Sequence, residues 1–380
     1  MKKWILRIGI RVVLVLAALA VLIIWSENDK AVIVRYVKNE NLPSIKAGWP
    51  GTPKDQKDRF VNHEFPFLPR MSDLLKWTLD SNPFEEVKKN DTERLEVKDP
   101  SAFLNSDADG ILWLGHASFF IRLGGVGLLL DPIFGKPPLV TEYVSVPSPL
   151  DKIKKVDYVL LSHNHRDHCD GATLEQIAKK FPNAVFLGGL GMEDIFNDLK
   201  TETNGVKTAG WFQQFNIQVT PPPRPRNAAS PPLKGGELEL FFVPVRHWSR
   251  RGLFDTNKRL WGSYVIQNGS ATIYFGGDSG YGRHYKEIGE LFPDIDYFLI
   301  GIGAYEPRWF MEPSHNSPSD ALKAFQDSGA ETLIPMHFGR FDLSDEPPNE
   351  PLRALMAEAG NRSLSNRIKV LTINESMELK

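Results

Sequence analysis

Cysteine is almost absent. Cys169 is the single one in 380 residues, which excludes an intrachain disulfide framework and any cysteine-built structural zinc site. Whatever metal this chain binds has to be held by histidine and carboxylate. An excess of basic charge is missing too: 45 Lys and Arg stand against 47 Asp and Glu, a net charge of −2. Spread thinly along the chain, they form no concentrated cationic footprint of the kind that displaces counterions from phosphates, so no nucleic-acid partner is expected. No internal repeat is visible. With 42% hydrophobic and 24% charged residues the composition is that of a folded domain and not of a disordered chain. What is present is unevenly placed: of nine histidines, His163, His165 and His168 fall within six residues.

The first residues carry a second concentration. Residues 12–25 are an uninterrupted apolar run, and counted from Trp4 the stretch is broken only by Arg7 and Arg11, whose heads can reach past one end of a helix. Lys2, Lys3, Arg7 and Arg11 precede the run, and Glu27 and Asp29 follow it. Positive charge stays inside, so the expectation is a single-pass anchor with its N-terminus in the cytoplasm and the rest of the chain across the membrane, in the periplasm of a bacterium. A cleaved signal peptide is the competing reading. Ala18 and Ala20 offer a cleavage pattern, but the apolar residues 21–25 that follow would put the cut inside the apolar core, which favours an uncleaved anchor.

Residues 27–100 are polar and punctuated by proline, apart from an amphipathic helix expected at 71–79, and read as a linker and a wrap on the main domain. The pattern changes at Gly110. Residues 118–123 and 126–130 are strand-like and separated by Gly124-Gly125, a two-residue hairpin signal. Short apolar strands then alternate with helical stretches at 172–181 and 317–328, which gives an α/β layered fold. Ser317, Pro318 and Asp320 form a helix-start signal. The prolines of 220–236 exclude regular structure there. The expected division is an anchor at 1–26, a linker and wrap at 27–100, and a hydrolase domain at 101–380.

His163-Asn164-His165-Arg166-Asp167-His168 follows the strand-like run 158–161. Residues two apart on an extended segment face the same way, so His163 and His165 can converge on one ion while Asp167 and His168, beyond a turn, address a second. Four ligands from one loop do not complete two sites. Further ligands are expected where other short apolar runs end, and His247, Asp278 and His337 stand there, the position at which open α/β sheets place binding residues.

In this pattern the chain resembles the metallo-β-lactamase superfamily, whose signature is His-x-His-x-Asp-His followed by a later His, Asp and His. The resemblance implies a four-layer αββα sandwich and two Zn2+ ions, the first on His163, His165 and His247, the second on Asp167, His168 and His337, with Asp278 bridging. Trp113-Leu114-Gly115-His116-Ala117, Leu130-Asp131-Pro132-Ile133-Phe134, His247-Trp248-Ser249, Trp261-Gly262-Ser263-Tyr264 and the segment 304–321 with His315 look like the N-acylphosphatidylethanolamine-hydrolysing phospholipase D group. That likeness covers about residues 60–375. It implies a zinc-dependent phosphodiesterase releasing N-acylethanolamine and phosphatidic acid from a phospholipid, with Asp167, Asp278 and His315 acting in catalysis.

Two shared cations can activate a water between them, so no protein nucleophile is required. His315 reads either as a donor to the phosphate or departing alkoxide, or as a cap or support for a ligand. His116, Asp131 and Asp170 are expected to support ligands by hydrogen bonds. Cys169 reads as a small buried hydrophobe, and residues 137–146 and the helix around Trp77 are candidates for touching acyl chains. Rival readings are another hydrolase of the superfamily, a lactonase or β-lactamase, and a non-hydrolytic metal-binding protein; a homo-oligomer is compatible with the sequence.

Overall fold

The computed structural model describes residues 31–197, 205–217 and 237–379. The apolar run at 1–26 and the proline-rich 220–236 lie outside them. Two mixed sheets are stacked face to face. The first holds β3 (Gly110–Gly115), β4 (Ser118–Leu123), β5 (Val126–Leu130), β6 (Tyr158–Leu160), β7 (Val185–Gly189), β8 (Val206–Ala209) and β15 (Ser376–Glu378), in the order β15-β3-β4-β5-β6-β7-β8. The second holds β9 (Gln213–Gln214), β10 (Glu239–Val243), β11 (Ser263–Asn268), β12 (Ala271–Phe275), β13 (Tyr297–Gly301) and β14 (Thr332–Met336), in the order β14-β13-β12-β11-β10-β9. In each, antiparallel pairings pass into parallel ones, at β5–β6 and at β12–β13.

The alternation of strand side chains builds the layers. In β4, Phe119, Ile121 and Leu123 enter the core between the sheets while Phe120 faces the other way; in β6, Tyr158 and Leu160 go in and Val159 goes out. The outward set packs on the helix Gly171–Lys180 through Leu174 and Ile177. On the far side of the second sheet, the helices His284–Leu291 and Pro318–Ser328 contribute Ile288, Leu322 and Phe325 to the core. Helix, sheet, sheet and helix are the four layers of the metallo-β-lactamase fold. The hairpin between β4 and β5 turns on Gly124 and Gly125 at φ +62 and +77, the left-handed pair that a two-residue turn needs. Ser317 caps the helix Pro318–Ser328 in a full capping box with Asp320, and Gly329 ends it at φ +70.

The segment read as a linker and a wrap on the main domain carries regular structure beyond the helix expected at 71–79. β1 (Ile33–Val37) and β2 (Thr52–Asp55) pair antiparallel, Phe60 and Val61 are buried, and helices run over Met71–Leu79 and Glu85–Asn90.

The expectation of a single-pass membrane protein with its catalytic domain outside the cytoplasm is corrected. Among the described residues no helix is long and apolar enough to cross a membrane. The longest, Glu350–Asn361, has 12 residues, about 18 Å of helix where a bilayer core needs about 30 Å.

Candidate metal centre

The site lies where strands of both sheets end. His163, His165, Asp167 and His168 follow β6, and His337 follows β14 directly. Three residues of the site sit in the left-handed region at such ends: His116 at φ +54 after β3, Asp131 at φ +38 after β5 and His337 at φ +63. Non-glycine residues are uncommon there, and each such turn swings a side chain off the strand direction toward the seam between the sheets.

All seven residues expected as ligands come together, in two groups. In the first, His163 Nε2 lies 2.9 Å from His165 Nδ1, which lies 3.1 Å from His247 Nε2. In the second, Asp278 Oδ2 lies 3.1 Å from His168 Nε2 and 3.2 Å from His337 Nε2, and Asp167 Oδ2 lies 3.5 and 3.6 Å from the same two nitrogens. Asp278 Oδ2 is also 4.0 Å from His247 Nε2, so one carboxylate faces both groups.

The opposite nitrogens of the rings decide which atoms are free. His168 Nδ1 donates to Asp131 Oδ2 at 2.8 Å, and His247 Nδ1 donates to the Ser314 carbonyl at 3.0 Å. His163 Nδ1 pairs at 2.9 Å with Ser162 Oγ, whose hydroxyl donates to Asp131. With those protons placed, the Nε2 atoms of all three rings point into the groups, the arrangement metal-binding imidazoles adopt. His168 Nε2, His337 Nε2 and Asp278 Oδ1 are buried without a hydrogen-bond partner among the described residues. Unsatisfied groups of this kind are costly in a folded interior unless something occupies them. Five imidazoles and two carboxylates with such atoms fit two divalent cations of the zinc type.

The electrostatics agree. Burial drives His163 and His247 well below their ordinary range and His165 down to about 4, which keeps the first group neutral. Burial also opposes charge on Asp278 and Asp167, yet neighbouring His168, with His337, holds both carboxyls well below normal. In return Asp278 and Asp167 lift His168 well above its usual range and His337 to about 9 against the same burial. Without a cation, protons on these two rings balance the carboxylates; a bound cation would take their place.

His116 Nε2 is 3.1 Å from Asp167 Oδ2, its ring lies 4.0 Å from that of His337, and its carbonyl accepts from the His337 amide at 3.0 Å. Asp131 holds His168 directly and His163 through Ser162. Asp170, expected beside them, is elsewhere: its carboxylate caps the helix Gly171–Lys180, accepting from Thr173 N at 2.9 Å and Thr173 Oγ1 at 2.6 Å. Ser162 is given no role by the sequence reading, although a hydroxyl directly before the first histidine is the available signal. Cys169 is buried in the outer core.

His165, Asp167, Asp278, His315 and His337 line one side of a cavity of about 250 Å³ whose walls include Phe67, Leu74, Trp77, Trp309, Phe310 and Met311. His315 Nδ1 is 3.9 Å from Asp278 Oδ2, and burial pushes it down to about 4. The helix around Trp77 is thus at the cavity. The stretch 137–146 is not: Val144 and Val146 belong to the core and Leu139 faces solvent.

Residues 127–338 match the model of the Beta-lactamase superfamily domain. The chain is 28% identical over 259 residues to the N-acyl-phosphatidylethanolamine-hydrolyzing phospholipase D 1 of Caenorhabditis elegans, covering 64% of this chain and 68% of that protein. It is 27% identical over 277 residues to a UPF0173 metal-dependent hydrolase of Methanopyrus kandleri, covering 70% and 99%. Among solved structures, the isothiocyanate hydrolase from Delia radicum gut bacteria superposes with a TM-score of 0.53 at 16% identity, over 71% of this chain and 99% of that one, a likeness of fold.

Proposed function

The chain belongs to the beta-lactamase superfamily and is a metal-dependent hydrolase of that fold, and from this premise we propose that it is a dinuclear zinc phosphodiesterase acting on a phospholipid of the N-acylphosphatidylethanolamine type, releasing N-acylethanolamine and phosphatidic acid. One observation carries the reading: two histidine groups share the Asp278 carboxylate beside a cavity whose other walls are mainly apolar, with Arg70 and Asp73 among them. Such a site suits a substrate with a charged, cleavable centre and a long apolar part.

His163, His165 and His247 would hold one cation, Asp167, His168 and His337 the other, and Asp278 both. When bound, the pair supplies an activated water at neutral pH and balances the charge that grows on the phosphoryl oxygens. The protein's own groups orient and exclude. Asp131, Ser162 and the Ser314 carbonyl fix the ring tautomers. His315, on the cavity side of Asp278, is positioned to donate to a phosphoryl or leaving-group oxygen. Trp77, Phe310 and Met311 keep water from the apolar part of the substrate, which strengthens every polar contact at the centre.

The relatives support hydrolysis more broadly than they support this substrate, since the match to a metal-dependent hydrolase covers as much of the chain. The test is product analysis on mixed micelles, offering N-acyl phosphatidylethanolamine, a lactone and a cephalosporin with and without chelator, alongside metal analysis of the protein. Release of N-acylethanolamine that stops on chelation is the expected result. Turnover of the lactone or cephalosporin alone would sink the phospholipase reading and leave the fold standing, and stoichiometric iron would replace zinc.

A further inference from the structure

The loop that supplies four of the seven clustered residues is held shut from outside. Arg251, half-buried in the loop after β10, sends its Nη1 to two backbone carbonyls, Asn164 O at 3.1 Å and Cys169 O. These carbonyls flank the run His165-Arg166-Asp167-His168, one before it and one after. We propose that Arg251 is a positioning residue for the metal centre, a clasp that fixes the His163–His168 loop in its ligating shape and couples it to His247, four residues upstream. The inference rests on the dinuclear reading above.

Three observations make the clasp more than a surface contact. The loop's backbone has few bonds of its own: His168 N and Cys169 N donate to the His165 carbonyl, at 3.2 and 2.8 Å, its side chains being held by Asp131 and His116, and the Asn164 side chain is buried with neither amide atom paired among the described residues. The arm that carries Arg251 is itself braced by hydrogen bonds. Asp255 accepts from Arg251 N at 3.2 Å, from Gly252 N at 2.7 Å and from Arg259 Nη1 at 2.7 Å. Asn257 is buried and ties back to Ser249 in both directions, its amide to the Ser249 carbonyl at 2.8 Å and its side chain accepting the Ser249 amide at 3.1 Å. Finally, the chemistry demands a guanidinium. One Nη1 nitrogen carries two hydrogens in a fixed plane, so it can give one to each carbonyl at once, which the rotating ammonium of lysine does with less definition.

The consequence is that Arg251 acts on metal affinity without touching a metal or the substrate. Groups that orient ligands from behind are worth about 10–100-fold in metal affinity. The experiment compares zinc competition against a chromophoric chelator for the parent protein and for Arg251→Ala and Arg251→Lys, with thermal unfolding of each protein after metal removal. Zinc affinity is expected to fall about 10–100-fold in Arg251→Ala and by less in Arg251→Lys, while the metal-stripped proteins unfold at the parent's temperature. At saturating zinc, both kcat and KM should return to the parent values. Parent-like zinc affinity in Arg251→Ala would overturn the inference, as would a raised KM at full zinc occupancy, which would make the residue a substrate contact. If the stripped variant unfolds early in proportion to its lost affinity, the clasp serves the fold and the inference fails. A parent protein that binds no zinc would refute the dinuclear reading itself, a result distinct from all of these.

Discussion

Asp278 is the residue on which both halves of the centre depend, because its Oδ2 is within 4.0 Å of a nitrogen in each group. Asp278→Ala should therefore lower metal content at both positions and cut turnover by more than about 100-fold, the upper end of what a merely supporting group costs. His247→Ala should weaken the first position and leave the second largely filled. Metal counting by mass spectrometry separates the two outcomes, and an Asp278→Ala protein that keeps two tight zincs and normal turnover would remove the bridging role. At this scale the sequence was legible for groups that advertise themselves by type and place: histidines and aspartates standing where apolar runs stop. It was silent on partners chosen by backbone geometry. The Ser314 carbonyl that sets the His247 tautomer has no side-chain signature, and neither do the two carbonyls that Arg251 clasps. Asp170 was misread because proximity in sequence to the ligands coincided with a helix start, and the unsatisfied amides of that start claimed its carboxylate.

The helix Met71–Leu79 has no buried residue, yet Leu74 and Trp77 wall the cavity. It is held by Trp77, which stacks on Phe310 at 5.3 Å and donates from Nε1 to Asp345 at 2.9 Å, and by Lys76 over the Trp309 ring at 4.1 Å. Trp77→Ala removes both the anchor and part of the apolar wall. About 1–2 kcal/mol of lost contact should raise KM for a long-chain phosphodiester by about 5–30-fold, with kcat on a small water-soluble diester unchanged. Equal effects on both substrates would show that the helix does not meet the chain. This helix was legible to the residue from its spacing, and so were the hairpin strands β4 and β5 and the capped helix Pro318–Ser328, because period and turn chemistry act locally. The β1–β2 hairpin was not. Its two strands are separated by the long, proline- and glycine-bearing stretch 38–51 and not by a two-residue turn, and four of the five β1 residues are exposed, so no alternation marked it.

Each sheet brings its own share of the centre: His163, His165, Asp167 and His168 come from the first, His247, Asp278 and His337 from the second. The layered architecture could be read from alternation of strands and helices, but this division could not, since it depends on which strand ends meet across the core. It governs stability as a function of pH. His337 is raised from 6.5 to about 9 in the folded, metal-free chain, so its contribution is complete below about 6.5 and is lost as pH climbs through about 9. Asp167 and Asp278, held well below 3.8, contribute above about 4 and lose that contribution in acid. Metal-stripped protein should thus unfold at progressively lower temperature from pH 6.5 to 9, whereas zinc-loaded protein, with a cation in place of the proton, should not. Calorimetry across that range with and without chelator decides it, and a flat stripped profile would count against the assignment. On the proposed ligand assignment, cations drawing ligands from both sheets would also be rivets through the seam, their binding energy holding the halves together. On the dinuclear reading proposed above, scarce metal would loosen that seam and open the chain to proteases, so that the supply of metal would set how many copies survive as well as how fast each one works.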